Sequence, residues 1–229
     1  MAYQCVATSV AGFVQQLAVA YVANDYFFYV TGNIPPEKDP SKTDVKIQTA
    51  YGIAVSKFTR SRRKKSALAN VQYLRYRNFF IIIATGGYHK FFADESSKLL
   101  DIRRHPLSFM GYSIGYRRAF GRGLCHASVR IHADRYTELK QHLGGIAVQR
   151  TTEELCGEFA RLPFEPYAPV RNQFFALLRL VNRKRAVAGL ERVPVEALRL
   201  RRSPVRPFAT SELSEDCPAS TVLKIDLCN

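Results

Sequence analysis

The sequence predicts an α+β protein in which an antiparallel sheet has flanking helices and is followed by a helical C-terminal unit and a mobile acidic tail. Three observations predict this class. Runs that alternate apolar and polar residues, or that are apolar throughout, predict strands in the first two thirds of the chain. Apolar residues at helical spacing predict an N-terminal helix, and capping signals predict helices in the last third. The predicted units are an α+β domain over residues 1–145, a helical unit over 146–202 and the tail over 203–229.

The first fifty residues predict two helices and a strand. The first helix presents one apolar face, and Thr8 or Ser9 can cap it. Asn24-Asp25 ends this helix, and the aromatic residues that follow favour a strand. Prolines then predict a loop before the second helix. In chain order these elements are a helix over residues 10–22, a strand over 26–30, a loop over 31–40 and a helix over 41–51 that ends at Gly52.

The middle of the chain predicts the strands of the sheet. A half-exposed strand and a continuously apolar strand meet at the turn Arg77-Asn78, which is a hairpin signal. Further along, Ala127, Val129 and Ile131 alternate with polar residues, as in a strand with one solvent-facing side. The predicted strands cover residues 71–76, 79–85, 88–92, 107–116 and 127–132, with a flexible connection over 119–125.

Capping residues organise the C-terminal third. Asp134 is a candidate helix cap, and Thr151 with Glu154 has the spacing of a capping box. Pro169 suits the first turn of a long helix, because the missing N–H of proline has no partner there in any case. The helices are expected over residues 134–143, 152–162 and 169–188, with stops at Gly144-Gly145 and Gly189.

Positive charge is the strongest functional signal. Lys and Arg outnumber Asp and Glu by 34 to 19, which gives a net charge of +15. The tail from Ser203 onward holds two basic and four acidic residues, so residues 1–202 carry +17. A globular body with that surplus repels itself unless it meets a polyanion. Nucleic acid, DNA or RNA with single strands slightly favoured, is therefore the expected partner.

Composition also excludes several classes of protein. The chain has five scattered cysteines and no C-x-x-C pair, so neither a zinc site nor a disulfide framework is predicted. The one apolar stretch long enough to test as a membrane span, Val10–Val30, is interrupted by Gln15-Gln16 and Asn24-Asp25. No P-loop, G-x-S-x-G or H-E-x-x-H motif is present. We therefore expect a cytoplasmic protein without a membrane partner.

Two basic clusters that include tyrosines are the candidate binding residues. Arginine and lysine meet phosphates, and exposed tyrosine rings can stack on unpaired bases. A solvated helix face would produce the same run of charge over Lys57–Lys65, so both interpretations stay open. The predicted nucleic-acid contacts are Lys57, Arg60, Arg62, Arg63, Lys64, Lys65, Tyr73, Arg75, Tyr76, Arg77, Arg103, Arg104, Arg117, Arg118 and Arg122.

A third basic cluster lies on the long C-terminal helix. Its apolar residues explain why this helix packs, and the arginines near its end also suit the helix dipole. The cluster is therefore compatible with binding or with a purely structural role. Its members are Arg171, Arg179, Arg183, Lys184, Arg185, Arg199, Arg201 and Arg202.

Three elements follow one another along the chain: the strand Tyr26–Gly32, the histidine strand Ile81–Phe92 and the helix that bears Tyr136 and Lys140. Their order resembles that of HUH-type single-strand endonucleases, the family of rolling-circle initiators, relaxases and related transposases. In that family a histidine strand holds a divalent metal and a helix-borne tyrosine attacks a DNA phosphate. The resemblance implies His89 as a metal ligand for Mg²⁺ or Mn²⁺, Tyr136 as the nucleophile and Lys140 as a phosphate or leaving-group contact.

Three functions follow as expectations. The first is a basic nucleic-acid-binding protein, of replication or of a mobile element, that contacts the phosphate backbone and stacks tyrosines on bases. The second is a metal-dependent endonuclease that forms a phosphotyrosine intermediate on single-stranded DNA. The third is an RNA-binding or assembly subunit without catalysis. Salt-dependent affinity without a metal requirement would separate the first from the second.

Overall fold

The computed structural model describes residues 3–118, 124–203 and 205–209 of the chain. It confirms the α+β class, with antiparallel sheets and flanking helices. Within these ranges no helix has both the length and the apolar character that a membrane span requires. The predicted mobile tail and the predicted connection over 119–125 fall largely outside the described residues.

The elements follow one another with short connections. The first helix continues from α1 into a π-helical turn over Gln16–Tyr21 and a 3₁₀ turn over Val22–Asn24. In chain order the elements are α1 (Val10–Gln15), β1 (Phe28–Asn33), α2 (Pro40–Tyr51), α3 (Lys57–Lys65), β2 (Val71–Tyr76), β3 (Phe79–Ala84), α4 (Phe91–Asp94), β4 (Leu100–Asp101), β5 (Leu107–Phe109), β6 (Tyr112–Arg118), β7 (Cys125–Ile131), α5 (Ala133–Ile146), α6 (Thr152–Ala160) and α7 (Ala168–Val187).

Two antiparallel sheets form the centre of the fold. The larger has the strand order β2-β3-β1-β4, and the smaller is a meander of β5, β6 and β7. The hairpin of β2 and β3 confirms the predicted turn at Arg77-Asn78, where Arg77 takes a left-handed conformation. Gly32 of β1 faces the ring of Phe80, which a Cβ atom would meet at 2.5 Å, so a larger residue there would have to displace that ring.

The larger sheet separates two hydrophobic clusters. Alternate residues of β3 point to opposite faces, so Ile81 and Ile83 join one cluster while Ile82 and Ala84 join the other. The first cluster also contains α1, the smaller sheet, α5, α6 and α7. The second contains residues of α2 and Phe91 of α4. Side chains that pack on different clusters therefore lie on different sides of this sheet.

The strand β2 is buried, which corrects the expectation of a half-exposed strand. The N-terminal segment pairs with its outer edge: the Arg75 N–H donates to the Cys5 carbonyl at 2.7 Å, and the Ala7 N–H donates to the Arg75 carbonyl at 2.7 Å. The side chain of Tyr3 extends this edge by accepting a hydrogen bond from the Tyr73 N–H. A segment some seventy residues away in sequence thus covers the strand. The pattern of apolar and polar residues within β2 could not predict this contact.

Two strand predictions are wrong. Residues 88–92 are not a strand, because the chain turns at Gly87 and enters the short helix α4. Residues 107–116 are not one strand but two, because Met110 and Gly111 both have positive φ and form a tight turn between β5 and β6. A non-glycine residue with positive φ is uncommon, which is why Met110 gave no turn signal.

The C-terminal helices follow their capping residues with two corrections. Thr151 and Glu154 form the predicted capping box of α6. The N-cap of α5 is His132 rather than Asp134, and this helix passes through Gly144-Gly145 without stopping. These helices contribute to the first hydrophobic cluster and form no separate one among the described residues. The predicted division at residue 145 falls within the last turn of α5, and it stays a prediction that the two parts fold separately.

The two ends of the described chain pair with each other. Ala7 forms an antiparallel bridge with Phe208, and the Thr8 N–H donates to the Pro207 carbonyl at 3.0 Å. The Gln15 side chain donates to the Val205 carbonyl at 3.1 Å. The N-terminal segment is therefore held between β2 on one side and residues 205–208 on the other.

Candidate nucleic-acid interface

The helix α3 stands on the surface and carries six basic residues. None of its nine residues is buried, and its one large apolar side chain, Phe58, is 81% exposed. Ser56 caps the helix by accepting a hydrogen bond from the Thr59 N–H at 3.1 Å. Four basic residues occupy the last turn, where the helix dipole favours positive charge. The helix is thus capped at its start and charged at its end, but no core packing requires its sequence.

The charges of α3 are largely left without carboxylate partners. Lys64 pairs with Asp25 at 2.9 Å, and this is the one ion pair that α3 forms within the described residues. Arg60 donates to the Val55 carbonyl at 2.7 Å and Arg63 to the Gly52 carbonyl at 3.4 Å. These bonds orient the two guanidinium groups against the protein without neutralising them. The remaining basic residues of the helix, Lys57, Arg62 and Lys65, are exposed.

Tyr73 and Arg75 are buried, which corrects the expectation that their side chains face a ligand. Tyr73 is fully buried, and its hydroxyl donates to Asp44 Oδ1 at 2.6 Å. Arg75 is buried as well and donates from Nε and Nη2 to both carboxylate oxygens of Asp44. Burial is the first cause that raises the pKa of Tyr73, and the hydrogen bond to Asp44 is the second. The Tyr73 ring has no exposed surface for a base, and the Arg75 guanidinium is already paired with a carboxylate.

The hairpin end beyond these residues is accessible. Arg77 is exposed, and its guanidinium carbon lies 5.4 Å from the ring centre of Tyr76. The Tyr76 ring is half-buried and packs edge-on against Phe109. The Arg77 carbonyl accepts a hydrogen bond from Arg75 Nη1 at 2.7 Å, so the turn is anchored to the buried pair. Arg77 remains a candidate phosphate contact, whereas Tyr76 belongs mainly to the core.

The second predicted cluster splits into an anchored part and an exposed part. Arg103 forms a bidentate ion pair with Asp101, which lowers the pKa of that carboxyl group, and it stacks over Phe27 at 4.7 Å. Arg104 is exposed. Arg117 and Arg118 are exposed at the end of β6. Arg122 lies outside the described residues. Of the two tyrosines in this region, Tyr112 is buried and Tyr116 packs against Phe27, so neither presents a free face.

The third cluster is partly structural. Arg185 is only 3% exposed, and its guanidinium donates to the carbonyls of Ala147, Arg150 and Glu191 and to the Thr152 hydroxyl. Lys184 donates to the Gly144 carbonyl at 2.7 Å. These acceptors include carbonyls at the C-terminal end of α5, where the helix dipole is negative. The end of α7 therefore uses two of its cations to bind α5.

The proposed metal ligand His89 lies in a loop rather than on a strand. Its Nδ1 accepts a hydrogen bond from the Phe91 N–H at 3.1 Å, and its ring packs against Tyr51. Burial first, and the charge of Arg63 second, hold the pKa of His89 below its usual value. Among residues 3–118, 124–203 and 205–209, no three His, Cys, Asp or Glu side chains are placed to hold one metal ion.

The proposed nucleophile Tyr136 lies on the other side of the larger sheet. Its half-buried ring packs on the first cluster, whereas the neighbours of His89, Tyr51 and Phe91, belong to the second. Lys140 Nζ lies 5.0 Å from the centre of the Tyr136 ring, as expected one turn along α5. Burial raises the pKa of Tyr136, which disfavours the phenolate. The structure thus brings Tyr136 and Lys140 together and leaves His89 apart from both.

A polar cleft beside α3 was not predicted. It is an open cleft of about 860 Å³ whose lining includes Tyr3, Tyr21 and Tyr26 together with Gln16 and Gln72. These residues come from three distant parts of the sequence. One feature of the sequence could have indicated the cleft. Glutamines occur in the first helix and in β2, among residues that are expected to be buried.

Comparison with known proteins gives no further assignment: no protein-family model matches the chain, and no curated protein matches it.

Proposed function

We propose that the chain is a nucleic-acid-binding protein that contacts the phosphate backbone with α3. The observation that carries this proposal is a helix that buries none of its residues and carries six cations, of which only Lys64 has a carboxylate partner among the described residues. Packing does not account for such a helix, because it adds nothing to either hydrophobic cluster. A polyanionic partner would explain it, because the phosphates would neutralise the exposed cations of α3.

The internal electrostatics of α3 support the proposal. Arg60 and Lys64 are four residues apart, and Arg62 and Lys65 are three apart, so like charges face each other along the helix. Each such pair costs a helix about 0.2–0.5 kcal/mol. Binding to phosphates would relieve this repulsion and release condensed counterions. The net charge of +15 acts in the same direction over longer distances.

The position of the candidate catalytic residues favours binding over strand cleavage. A metal-assisted attack by tyrosine requires the metal and the nucleophile at one phosphate. His89 and Tyr136 pack on different sides of the larger sheet, and the segment Tyr88–Phe91 holds one histidine only. We therefore expect no covalent adduct between the chain and single-stranded DNA with Mg²⁺ or Mn²⁺.

The proposal can be tested by measuring affinity for fluorescent single-stranded DNA and RNA as a function of salt. For the wild type we expect log K to fall linearly with log salt. The triple variant Lys57→Gln/Arg62→Gln/Lys65→Gln removes three exposed charges. It should bind about ten-fold or more weakly at low salt, with a salt slope smaller by about two to three.

A matched triple variant, Arg179→Gln/Arg183→Gln/Arg192→Gln, removes the same charge from exposed positions on α7 and in the segment that follows it. We expect its affinity to stay within about three-fold of the wild type, since distant exposed charges are screened. Equal losses in the two variants would mean that binding follows net charge alone. Absence of salt-dependent binding in the wild type would overturn the proposal.

A further inference from the structure

The cleft beside α3 combines aromatic, amide and cationic side chains. Tyr21 and Tyr26 line it with their ring centres 5.6 Å apart, and although both belong to the first hydrophobic cluster, 6% and 8% of their surface stays exposed. Gln16 and Gln72 also line it, and Arg60 of α3 forms part of its wall. Among the described residues that line the cleft, none is acidic. This mixture is unusual for a space between packed elements, which is normally apolar.

The hydroxyl of Tyr3 and the amide of Gln72 hold each other in place in the cleft. The hydroxyl of Tyr3 accepts from the Tyr73 N–H and lies 2.9 Å from Gln72 Oε1, which can accept its proton. Burial raises the pKa of Tyr21, and hydrogen bonding to Gln16 and Tyr3 partly offsets that effect. The amide of a glutamine both donates and accepts, so the cleft presents both kinds of group in an ordered arrangement.

The first helix is distorted where it borders the cleft. The π-helical turn Gln16–Tyr21 supplies three lining residues, Gln16, Ala20 and Tyr21. A π-helical turn is less stable than a regular α-helical one and occurs frequently at functional sites. Here it lies beside the cleft, and the Tyr21 side chain of this turn lines it.

The cationic wall connects the cleft to α3. Arg60 Nη1 donates to the Val55 carbonyl, which fixes the guanidinium at the wall, and Lys57 lies one turn earlier on the same helix. The charges of Arg60 and Lys64 both act on the Tyr26 hydroxyl and oppose the rise in its pKa that burial causes. A ligand in the cleft would thus have its anionic group next to the residues of α3.

We propose that this cleft binds one unpaired nucleotide of the bound strand, with the base among the tyrosines and glutamines and its phosphate at Lys57 and Arg60. Aromatic rings stack on any base, and amides match the donors and acceptors of a base edge. A volume of about 860 Å³ is within the usual range for small-ligand sites. The inference rests on the proposed function, since the strand reaches the cleft from α3.

A duplex would have to extrude a base to use the cleft, so the site selects single strands. Two possible occupants of the cleft have the same chemical groups, a nucleotide within a strand and a free nucleotide, and experiment can distinguish them. The strand is the occupant we infer, because the cationic wall of the cleft continues along α3 to Lys64 and Lys65, beyond the reach of a mononucleotide.

The test compares two probes with the same number of phosphates. One is a twelve-nucleotide oligothymidylate, and the other is the same length of abasic backbone. The full chain should bind the oligothymidylate at least about five-fold tighter, the least that stacking of one base is expected to contribute. Equal affinity for the two would overturn the inference and leave the proposed function intact. Binding of neither probe would remove the proposed function itself.

Filling the cleft should abolish the preference. Ala20 lines it and is half-buried, so Ala20→Leu occupies space that the base needs. This variant should bind the two probes equally, with its affinity for the abasic probe within about two-fold of the wild type. Val19 is exposed and does not line the cleft, so Val19→Leu is the matched control and should keep the preference.

A competition measurement with the wild-type chain does not depend on how the variants fold. Thymidine monophosphate at millimolar concentration should weaken binding of the oligothymidylate about five-fold, to the level of the abasic probe, while inorganic phosphate at the same concentration should not. Equal weakening by both would show that phosphate alone is recognised and would overturn the inference. A comparison of oligouridylate with oligodeoxyuridylate, which differ only in the 2′-hydroxyl, then establishes whether the strand is RNA or DNA.

Discussion

The helices α3 and α7 both end in basic residues, yet they use their charge differently. At the end of α7, Arg185 and Lys184 donate to carbonyls of neighbouring segments, and Arg185 is almost completely buried. On α3 no residue is buried, and only Lys64 has a carboxylate partner in the described part of the chain. Runs of arginine and lysine that look alike in a sequence can therefore have different roles in the structure. The difference lies in whether the protein itself supplies the acceptors.

The largest effect that separates the two helices should be on stability. Arg185→Met leaves the carbonyls of Ala147, Arg150 and Glu191 without their donor in a buried site. We expect the free energy of unfolding to fall by about 3 kcal/mol, because each unpaired buried polar group costs about 1–3 kcal/mol. Urea denaturation monitored by circular dichroism measures this change.

The control on the other helix is Arg62→Met. This side chain is exposed and touches no partner among the described residues, so its replacement should change the free energy of unfolding by about 0.5 kcal/mol or less. If the two substitutions destabilised the chain equally, the distinction between a structural and a free basic cluster would be wrong.

A smaller effect should appear when the one ion pair of α3 is removed. Asp25 has a left-handed backbone conformation (φ 69°), which asparagine also tolerates, so Asp25→Asn removes the charge while keeping the turn. Lys64 is then free for a phosphate. We expect affinity for single-stranded nucleic acid to rise about two- to five-fold and the salt slope to grow by about one. Unchanged or weaker binding would indicate that Lys64 does not face the bound strand.

The smallest effect should be on the titration of His89, which reports the charge of α3 from inside the protein. Burial and Arg63 hold the pKa of His89 below its usual value, Lys90 acts in the same direction, and hydrogen bonding to the Tyr51 backbone and the charge of Asp94 oppose them. Arg63→Gln removes one repulsive cation. The pKa of His89 should therefore rise, as an NMR titration of the imidazole would show.

The sign of the accompanying change in stability follows from the same shift. A histidine whose pKa is lower in the folded state contributes stability above its unfolded pKa, and that contribution is lost as the pH falls through the unfolded pKa towards the folded one. Arg63→Gln should therefore weaken the loss of stability on acidification below about pH 6.5. Arg62→Gln, which is not among the charges acting on His89, should leave the titration unchanged.

Local signals predicted the parts of the fold that local chemistry determines. The hairpin of β2 and β3 and the capping box at Thr151 depend on residues close in sequence, and both were predicted with nearly correct bounds. The turn at Met110 was missed, because methionine is not a residue that favours positive φ. The strand predicted over residues 88–92 was wrong because aromatic residues there pack on α2 from a short helix instead.

The site was predictable only where exposure follows from the sequence. The basic run of α3 has almost no apolar residue to bury, so its exposure could be expected. In the sequence, Tyr73 and Arg75 also belong to a basic and aromatic cluster. In the structure they are buried, and Asp44 of α2 accepts hydrogen bonds from both of them. The cleft depends on Tyr3, Gln16 and Gln72, which the fold brings together from separate segments. Such long-range partners leave no local pattern.

The bridge between Ala7 and Phe208 has a consequence for biosynthesis. A ribosome delivers the N-terminal segment first and its partner at residues 205–208 roughly two hundred residues later. Contacts of such separation form slowly, because a long loop must close before they contribute. Until then the N-terminal segment keeps one edge uncovered, where another strand can pair with it. Synthesis of residues 205–208 is thus the event that covers this edge, and chains truncated before residue 205 should be prone to aggregate.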